Sequence, residues 1–224
     1  MEEKKVVEMK KGEFTLKEYI KDYLGKGKVS KVKIEYTPVG EKIIISTSKP
    51  GLIIGRGGER IAELTMIIKR RFKLENPHIE IDEIKEPDFD SRVIADEIAI
   101  ALENSGPLKF KVISYRMLQR IMNAGALGAE IRLSGKLPGA RAKTWVFTQG
   151  YLKKVGESAN VVDVAKSRAE TRPGTVGVKV SILSPHAKLK DKIVIDESFI
   201  EKIKQNKINM AEEKPKKKRR VKKK

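Results

Sequence analysis

The sequence contains no cysteine, only two histidines, and no apolar run close to the length of a membrane span. Without cysteine, disulfide bonds and thiolate metal sites are excluded, and the composition is compatible with an intracellular protein. A membrane-spanning helix needs about 20 predominantly apolar residues, so we expect no transmembrane segment. Residues 2–5 are all charged and lead into no apolar core, so we also expect no secretory signal.

What the chain has in excess is positive charge. Its 224 residues include 49 Lys and Arg against 30 Asp and Glu, a formal net charge of +19. The last eleven residues carry nine basic side chains and no acid, which leaves about +10 on the rest of the chain. The basicity is therefore not confined to one end. It predicts a polyanionic partner, and RNA, DNA and an anionic membrane surface all qualify by charge alone.

A Gly-x-x-Gly tetrapeptide, Gly55 to Gly58, lies between two apolar helical segments, and Arg56 stands inside it. Glycine at both ends removes the Cβ atoms that would hold another backbone away. The helix that begins after the loop directs its unpaired N–H groups toward any bound group, and an anion fits that position. KH domains bind the backbone of a few nucleotides through such a loop. The motif therefore predicts a nucleic-acid contact.

Four residues occur often by chance, and the alternative is an ordinary turn between two helices. The flanking apolar helices and the strands on both sides favour the nucleic-acid interpretation. Other glycine motifs fail, because a dinucleotide-binding pattern would need glycine where Arg60 stands. A phosphate loop is also excluded, because Leu137 rather than Ser or Thr follows Gly135-Lys136.

The first helix is predicted from its ends. Thr15 and Glu18 have the spacing of a capping box, and Gly25 stands where the helix is expected to stop. Residues 1–12 are interpreted as a flexible, charged lead-in. The first folded domain is therefore predicted over residues 13–87.

Alternating apolar residues predict strands over residues 31–36 and 78–84, and the apolar run at 43–45 predicts a second, more buried strand between them. The helix after the glycine loop should turn its apolar residues at 61, 64, 68 and 72 inward. The resulting order is helix, two strands, a helix pair around the loop, and a strand, which is the order of the second topological type of KH domain. A basic cluster near the end of that helix either complements the helix dipole or contacts RNA. The cluster consists of Lys69, Arg70, Arg71 and Lys73.

A second domain is predicted over residues 88–188. Asp90 should cap a helix that runs to about Leu102, and a further helix should span residues 109–123. We expect the core face of the second helix to include Val112, Tyr115, Leu118 and Met122.

Strands are expected after the two helices, so this half should be a helix pair packed on a small antiparallel sheet. They are predicted at 130–134, 144–152, 161–169 and 176–182. The segment 161–169 suits either a strand or a helix, and we favour a strand. The whole chain is then of the α+β class. Residues 189–224 are interpreted as an extension, with a short helix at 193–203, and a disordered basic tail. The tail resembles a nuclear-import signal, but we favour an RNA-anchoring arm.

A glycine-rich segment between the first two of these strands projects Lys136, Arg141 and Lys143, and Arg132 precedes it. A solvated loop is the alternative. Phosphate binding is favoured, because glycine lets the backbone approach a phosphate while the cations neutralise it. Trp145 follows, and we interpret it as a core anchor rather than a platform for base stacking.

Little in the sequence supports a catalytic site or a metal site. His78 and His186 are far apart in sequence, and a zinc site uses several His or Cys ligands. Asp88 and Asp90 form a close carboxylate pair, but helix capping explains them better. No serine has a base and an orienting group in an evident arrangement. We expect no catalytic residue, no metal and no cofactor.

Three stretches together resemble the ribosomal-protein family of the third protein of the small subunit, in its archaeal and eukaryotic form. They are residues 51–58, 122–129 and 133–143, within a resemblance that runs from about Phe14 to Ser184. Their order and spacing fit that family.

The resemblance implies a KH domain of the second type followed by a family-specific C-terminal domain. It implies a non-enzymatic constituent of the cytoplasmic ribosome that binds ribosomal RNA in the head of the small subunit, beside neighbouring head proteins. It further implies a position where messenger RNA enters, with neither a membrane nor a small-molecule substrate as a partner. Bacterial members carry a basic cluster on the second-domain helix. This chain keeps Lys111 there, whereas Val112 and Tyr115 replace basic residues.

The candidate RNA-binding residues follow from the two glycine-rich segments and from this helix. They are Gly55, Arg56, Gly57, Gly58, Arg60, Lys111, Arg116, Arg120, Arg132, Lys136, Arg141 and Lys143. Two alternatives stay open. One is a transient KH factor in ribosome assembly or RNA turnover. The other is an enzyme acting on damaged DNA through a lysine-based lyase.

Overall fold

The structure is a computed structural model that describes residues 2–38, 40–72, 74, 76–139 and 141–189. The short helix predicted at 193–203 and the basic tail lie outside the described residues. In the part of the chain that is described, no helix is both long and apolar enough to cross a membrane.

The N-terminal half is a three-stranded sheet with helices, in the order that the sequence predicts. Its elements are α1 (Glu2–Leu24), β1 (Lys31–Thr37), β2 (Gly40–Thr47), α2 (Pro50–Ile54), α3 (Glu59–Phe72) and β3 (His78–Glu83). The strand order is β1-β2-β3, with β1 antiparallel to β2 and β2 parallel to β3. This connectivity confirms the predicted KH topology.

The apolar stripe of α1 packs with the sheet and with α3 in one hydrophobic core. Its fully or nearly buried members are Leu16, Ile20, Leu24, Val29, Val32, Ile43, Ile45, Ile53, Leu64 and Ile68. The predicted inward face of α3 is confirmed, because Leu64 and Ile68 are buried while Ile61 and Phe72 pack against the same core. The core therefore fixes α2 and α3 against the sheet and holds the loop between them.

The prediction of a flexible lead-in over residues 1–12 is wrong, because α1 begins at Glu2 and continues through this segment. Glu, Lys and Met are good helix formers, and the cost of Gly12 in the helix interior is only about 1 kcal/mol. Glu13 is close to two lysines of the same helix, with Lys10 at 2.8 Å and Lys17 at 3.7 Å. The Thr15 hydroxyl donates to the carbonyl of Lys11, so Thr15 lies in the helix interior and caps no helix.

The C-terminal half packs two helices on one face of a four-stranded antiparallel sheet, as predicted. The helices are α4 (Ser91–Ser105) and α5 (Phe110–Asn123). The strands are β4 (Gly128–Gly135), β5 (Lys143–Gly150), β6 (Asp163–Thr171) and β7 (Gly174–Leu183). Their order in the sheet is β5-β4-β7-β6. The Asp90 carboxylate accepts hydrogen bonds from the backbone N–H groups of Arg92 and Val93, which confirms its predicted cap.

The predicted core face of α5 is only partly correct. Leu118 is buried, but Val112 and Tyr115 are 69% and 59% exposed. The sheet instead contacts the stripe that contains Phe110, Ser114, Leu118 and Ile121, all buried. Ser114 tolerates burial because its hydroxyl donates to the carbonyl of Phe110 at 2.8 Å. Because the polar Ser114 lies on the buried face of α5, the apolar pattern of the sequence favoured a different face of the helix.

Candidate nucleic-acid interface

The Gly-x-x-Gly loop joins α2 to α3 through backbone angles that favour glycine. Gly55, Gly57 and Gly58 have φ values of 74°, 58° and 82°. A Cβ atom on Gly57 or Gly58 would meet nothing within 4 Å, so space inside the protein does not require glycine at these positions. The positive φ values do favour glycine, and the missing side chains leave the backbone open to an approaching group.

The Arg60 side chain contacts both ends of the loop and stabilises its turn. Its Nη1 atom donates to the carbonyl oxygen of Leu52 at 3.1 Å, which satisfies a carbonyl near the end of α2. A Cβ atom on Gly55 would come within 3.0 Å of the Arg60 Cγ atom, so the arginine stem lies against the glycine backbone. The sequence predicted Arg60 as an RNA contact, and this geometry also gives it a supporting role.

Arg56 is exposed at the loop, and no hydrogen bond or ion pair with another described residue occupies its guanidinium group. A shallow depression of about 440 Å³ lies beside it, lined by Gly51, Leu52, Gly55, Arg56, Glu59 and Arg60. The N-terminus of α3 opens here, and its partial positive charge adds to that of Arg56. Glu59 reduces this potential, because its carboxylate lies in the first helical turn. The site nevertheless combines open backbone, a cation and a helix N-terminus.

The basic cluster at the end of α3 has mixed surroundings at Lys69, Arg70 and Arg71, while Lys73 lies outside the described residues. The guanidinium of Arg71 lies 4.4 Å from the centre of the Tyr19 ring, so that residue takes part in a cation–π contact with α1. Lys69 and Arg70 are exposed in the same helical turn. The two explanations offered by the sequence, dipole complementation and RNA contact, both remain compatible with these positions.

The three candidate cations of α5 have different environments. Lys111 Nζ lies 4.9 Å from the centre of the Trp145 ring, and Arg116 is exposed. Arg120 instead bridges two carboxylates, Asp88 at 2.6 Å and Glu97 at 2.8 Å. Burial alone would lower the pKa of Arg120, but Glu97 and Asp88 raise it above its ordinary value. Arg120 therefore joins α5 to α4 and to the segment before α4, and its charge is largely balanced.

Trp145 is not the buried anchor that the sequence predicts, because its side chain is 38% exposed. Phe147, two residues later on the same face of β5, is buried and fills that role. The Trp145 ring lies 5.5 Å from Phe110 at the margin of the core. The Lys111 ammonium lies over the Trp145 ring, so the tryptophan lies beside the basic surface of α5.

The segment between β4 and β5 presents Lys136, Arg141 and Lys143 as exposed side chains, as the sequence suggested. Leu137 is buried and anchors the turn to the C-terminal core. Arg132 differs from the other three cations, because it donates to the Glu130 carboxylate at 3.0 Å. The glycine loop packs within the N-terminal half and this turn within the C-terminal half. The candidate residues therefore form separate groups rather than one pocket.

Comparison with known proteins agrees with both halves of this description. A KH domain model matches residues 15–89, and a model of the C-terminal domain of ribosomal protein S3 matches residues 98–182. Small ribosomal subunit protein uS3 of Methanocaldococcus jannaschii is 43% identical over 181 residues, which are 80% of this chain and 86% of that protein. The chain belongs to the uS3 family. This confirms the resemblance found in the sequence.

Some uS3 relatives are longer. The protein of the same name from Haloarcula marismortui is 39% identical over 181 residues, which are 80% of this chain and 59% of that protein. The uS3 of Halobacterium salinarum is also 39% identical over 181 residues, again with 59% of its length covered. The chain thus spans about 59% of the length of these haloarchaeal relatives, while it covers most of the shorter methanogen protein.

Membership in the uS3 family supports a structural role and not the alternative of a transient RNA factor. The family is structural and non-enzymatic, which also argues against the alternative of an enzyme that acts on damaged DNA. In the ranges that the structure describes, no group of three or more His, Asp and Glu side chains could hold a metal ion. His78 and His186 instead lie near Glu80 and Glu86, at 4.0 and 3.8 Å.

The structure also reveals basic residues that the sequence analysis did not single out. Lys166, Arg168 and Lys179 lie on the same side of the C-terminal sheet as Arg132. Their alternation with buried Ala165, Ala169, Val178 and Val180 was a signal available in the sequence. The strand register, which places Lys179 opposite both Arg132 and Lys166, cannot be seen in the sequence.

Proposed function

We propose that this uS3-family chain is a structural, RNA-binding constituent of the small ribosomal subunit that acts on the cytoplasmic ribosome. Its cations neutralise phosphates of ribosomal RNA, and its glycine-rich loop lets backbone atoms approach the RNA closely. The observation that carries the proposal is the open Gly55–Gly58 loop with Arg56 at a helix N-terminus, in a chain of net charge +19. The names of its relatives support the same role.

We place the chain in the head of the small subunit, beside neighbouring head proteins and near the channel through which messenger RNA enters. Two groups of residues carry this part of the proposal. The glycine loop and the β4–β5 turn, with Lys136, Arg141 and Lys143, contact ribosomal RNA. The exposed surface of α5, with Lys111 and Arg116, faces messenger RNA. Because Val112 and Tyr115 are exposed and uncharged beside Lys111, electrostatic attraction to messenger RNA there rests on few cations.

Sedimentation of a native lysate through high salt tests the proposal. We expect about one copy of this chain per small subunit, retained after the salt wash, because an integral protein makes many phosphate contacts at once. Sub-stoichiometric, salt-labile association would contradict the structural role and indicate a passing factor. Cross-linking of the washed subunits at Lys111 and at Lys136 then distinguishes messenger RNA from ribosomal RNA at the two surfaces.

A further inference from the structure

The outer face of the C-terminal sheet, opposite α4 and α5, carries a set of cations at its centre. In each strand the neighbouring residues are buried toward the helices, so the alternate positions point outward. On β4, Arg132 lies between buried Ile131 and Leu133, and on β7, Lys179 lies between buried Val178 and Val180. Lys166 and Arg168 occupy the matching outward positions of β6.

Strand register aligns three of these cations in a row. Arg132 pairs with Lys179 across β4 and β7, and Lys179 pairs with Lys166 across β7 and β6. Adjacent strands lie about 4.8 Å apart, so the three Cα atoms span about 10 Å across the sheet. We call Arg132, Lys179 and Lys166 the cationic row. Arg168 lies one outward position further along β6.

Like charges directly opposite one another on a sheet destabilise it. Only one member of the row has an acidic partner among the described residues, since Arg132 contacts the buried carboxylate of Glu130. Glu130 also contacts Lys154, so its charge is shared. Lys166 and Lys179 form no ion pair within the described part of the chain. An anion bound across the row would remove this repulsion.

The row continues at one end into a basic cleft between the two halves of the chain. Lys166 and Arg168 line this cleft of about 920 Å³ together with Lys17, Lys21 and Arg92. Burial, and the positive charge of Arg92, lower the pKa of Lys21, as expected where cations outnumber acids. The acids of the cleft are Glu18, Asp22 and Asp96, and Asp96 is already 3.3 Å from the Arg92 guanidinium.

The chemistry of the face favours the backbone of a nucleic acid over its bases. On one side of the row, the outward positions of β4 and β7 are small, with Ser134 opposite Gly177, whereas on the other side Glu130 lies opposite Ser181. No aromatic residue occupies an outward position of the four described strands, so bases find no stacking platform here. Phosphates need only the cations and room to approach them.

We propose that the sugar-phosphate backbone of ribosomal RNA binds across the outer sheet face, with Lys166 and Lys179 as its principal contacts and Arg132 at the far end. The strand then enters the basic cleft past Arg168. This inference rests on the proposed function, because it names a further surface through which the same partner is bound.

The test measures how salt weakens the binding of the full chain to small-subunit ribosomal RNA transcribed in vitro. The variant is K166Q/K179Q, and the matched control is K33Q/K85Q, which removes two exposed lysines that form no ion pair within the described residues. Each lost phosphate contact should lower the magnitude of the log K against log salt slope by about 0.7–0.9. We expect a decrease of about 1.4–1.8 in the variant and none in the control.

Thermal unfolding provides a second measurement, because removal of opposed like charges should leave the melting temperature of K166Q/K179Q equal to or above that of the natural sequence. If that variant fails to fold, K166Q at the exposed edge strand should show about half the slope decrease. A slope equal to that of the control would overturn the inference. If K166Q/K179Q also lost binding to polyglutamate while its RNA slope stayed unchanged, the inference would again be overturned, and the face would be assigned to an acidic protein. If the natural sequence itself binds this RNA without salt dependence, the proposed function fails instead.

Discussion

Arg60 reaches back across the glycine loop and donates a hydrogen bond from its Nη1 atom to the carbonyl oxygen of Leu52, 3.1 Å away. The bond joins the end of α2 to the first turn of α3. The two arginines of the loop therefore have different roles, since Arg56 points into solvent while Arg60 holds the turn together. Experiments that treat them as equivalent RNA contacts would mix binding with folding.

Substitution of these two arginines should separate the roles. We expect R60A to lower the free energy of unfolding by about 1 kcal/mol, the usual worth of one hydrogen bond. R56A should change it by less than about 0.5 kcal/mol, because its side chain is exposed. In RNA binding, R56A should lower the salt slope by about 0.7–0.9, and R56E should weaken binding further. Urea unfolding and salt titration measure both quantities, with K33A as a control. An R60A protein as stable as the natural sequence would remove the supporting role.

Gly57 offers a test of backbone approach. Its φ of 58° suits asparagine better than alanine, and a Cβ atom there meets nothing within 4 Å. We expect G57A to cost about 1–2 kcal/mol of stability and G57N clearly less. Both should weaken RNA binding, because either side chain holds the RNA backbone away from the loop. Tight RNA binding by a well-folded G57N protein would show that the RNA does not approach the loop closely at this residue.

Arg116 and Arg120, four residues apart on α5, should behave in opposite ways. R120Q breaks contacts to Asp88 and Glu97, so we expect a loss of about 1–2 kcal/mol in stability with little change in RNA salt dependence. R116Q should leave stability unchanged and lower the salt slope for single-stranded RNA by about 0.7. Each variant is the control for the other. If R120Q lowered the slope as much as R116Q, the balanced charge of Arg120 would not explain its behaviour.

The Glu130 carboxylate predicts an acid-dependent loss of stability. Burial alone would raise its pKa, but hydrogen bonds from Lys154 and Arg132 hold the pKa below the ordinary value. A carboxylate with a lowered folded-state pKa contributes stability that is present above its unfolded pKa of about 4.3. That contribution is lost as pH falls through the lower folded-state value.

We therefore expect E130Q to be less stable than the natural sequence by about 1 kcal/mol at pH 7. The difference should shrink as the pH falls below about 4.3. Urea unfolding of both proteins at pH 7, 5 and 3.5 measures it. A difference that stayed constant over this range would mean that the charge of Glu130 does not contribute to the effect.

Much of the fold was predictable because local sequence signals, such as helix caps and apolar periodicity, agree with the burial seen in the structure. Asp90 was recognised as a cap from sequence, and it accepts the two backbone hydrogen bonds that a cap requires. Three predictions were wrong, because the same local pattern of apolar and polar residues is compatible with more than one structure. The helix α1 extends through residues 2–12, and Trp145 lies at the core margin. On α5, Val112 and Tyr115 are largely exposed, and the Tyr115 ring contacts only the edge of the core at Phe147.

The sequence by itself determined the KH topology, the helix-on-sheet second domain, the glycine loop and the basic character of the chain. Each of these depends on spacing, turn residues or composition, which are local properties. Only the tertiary structure decided which cations remain available. Contacts between residues distant in sequence assign Arg120 to Asp88 and Glu97, and strand register aligns Lys179 with Arg132 and Lys166. Side chains with the same charge thus acquire different roles, because packing and register set their neighbours.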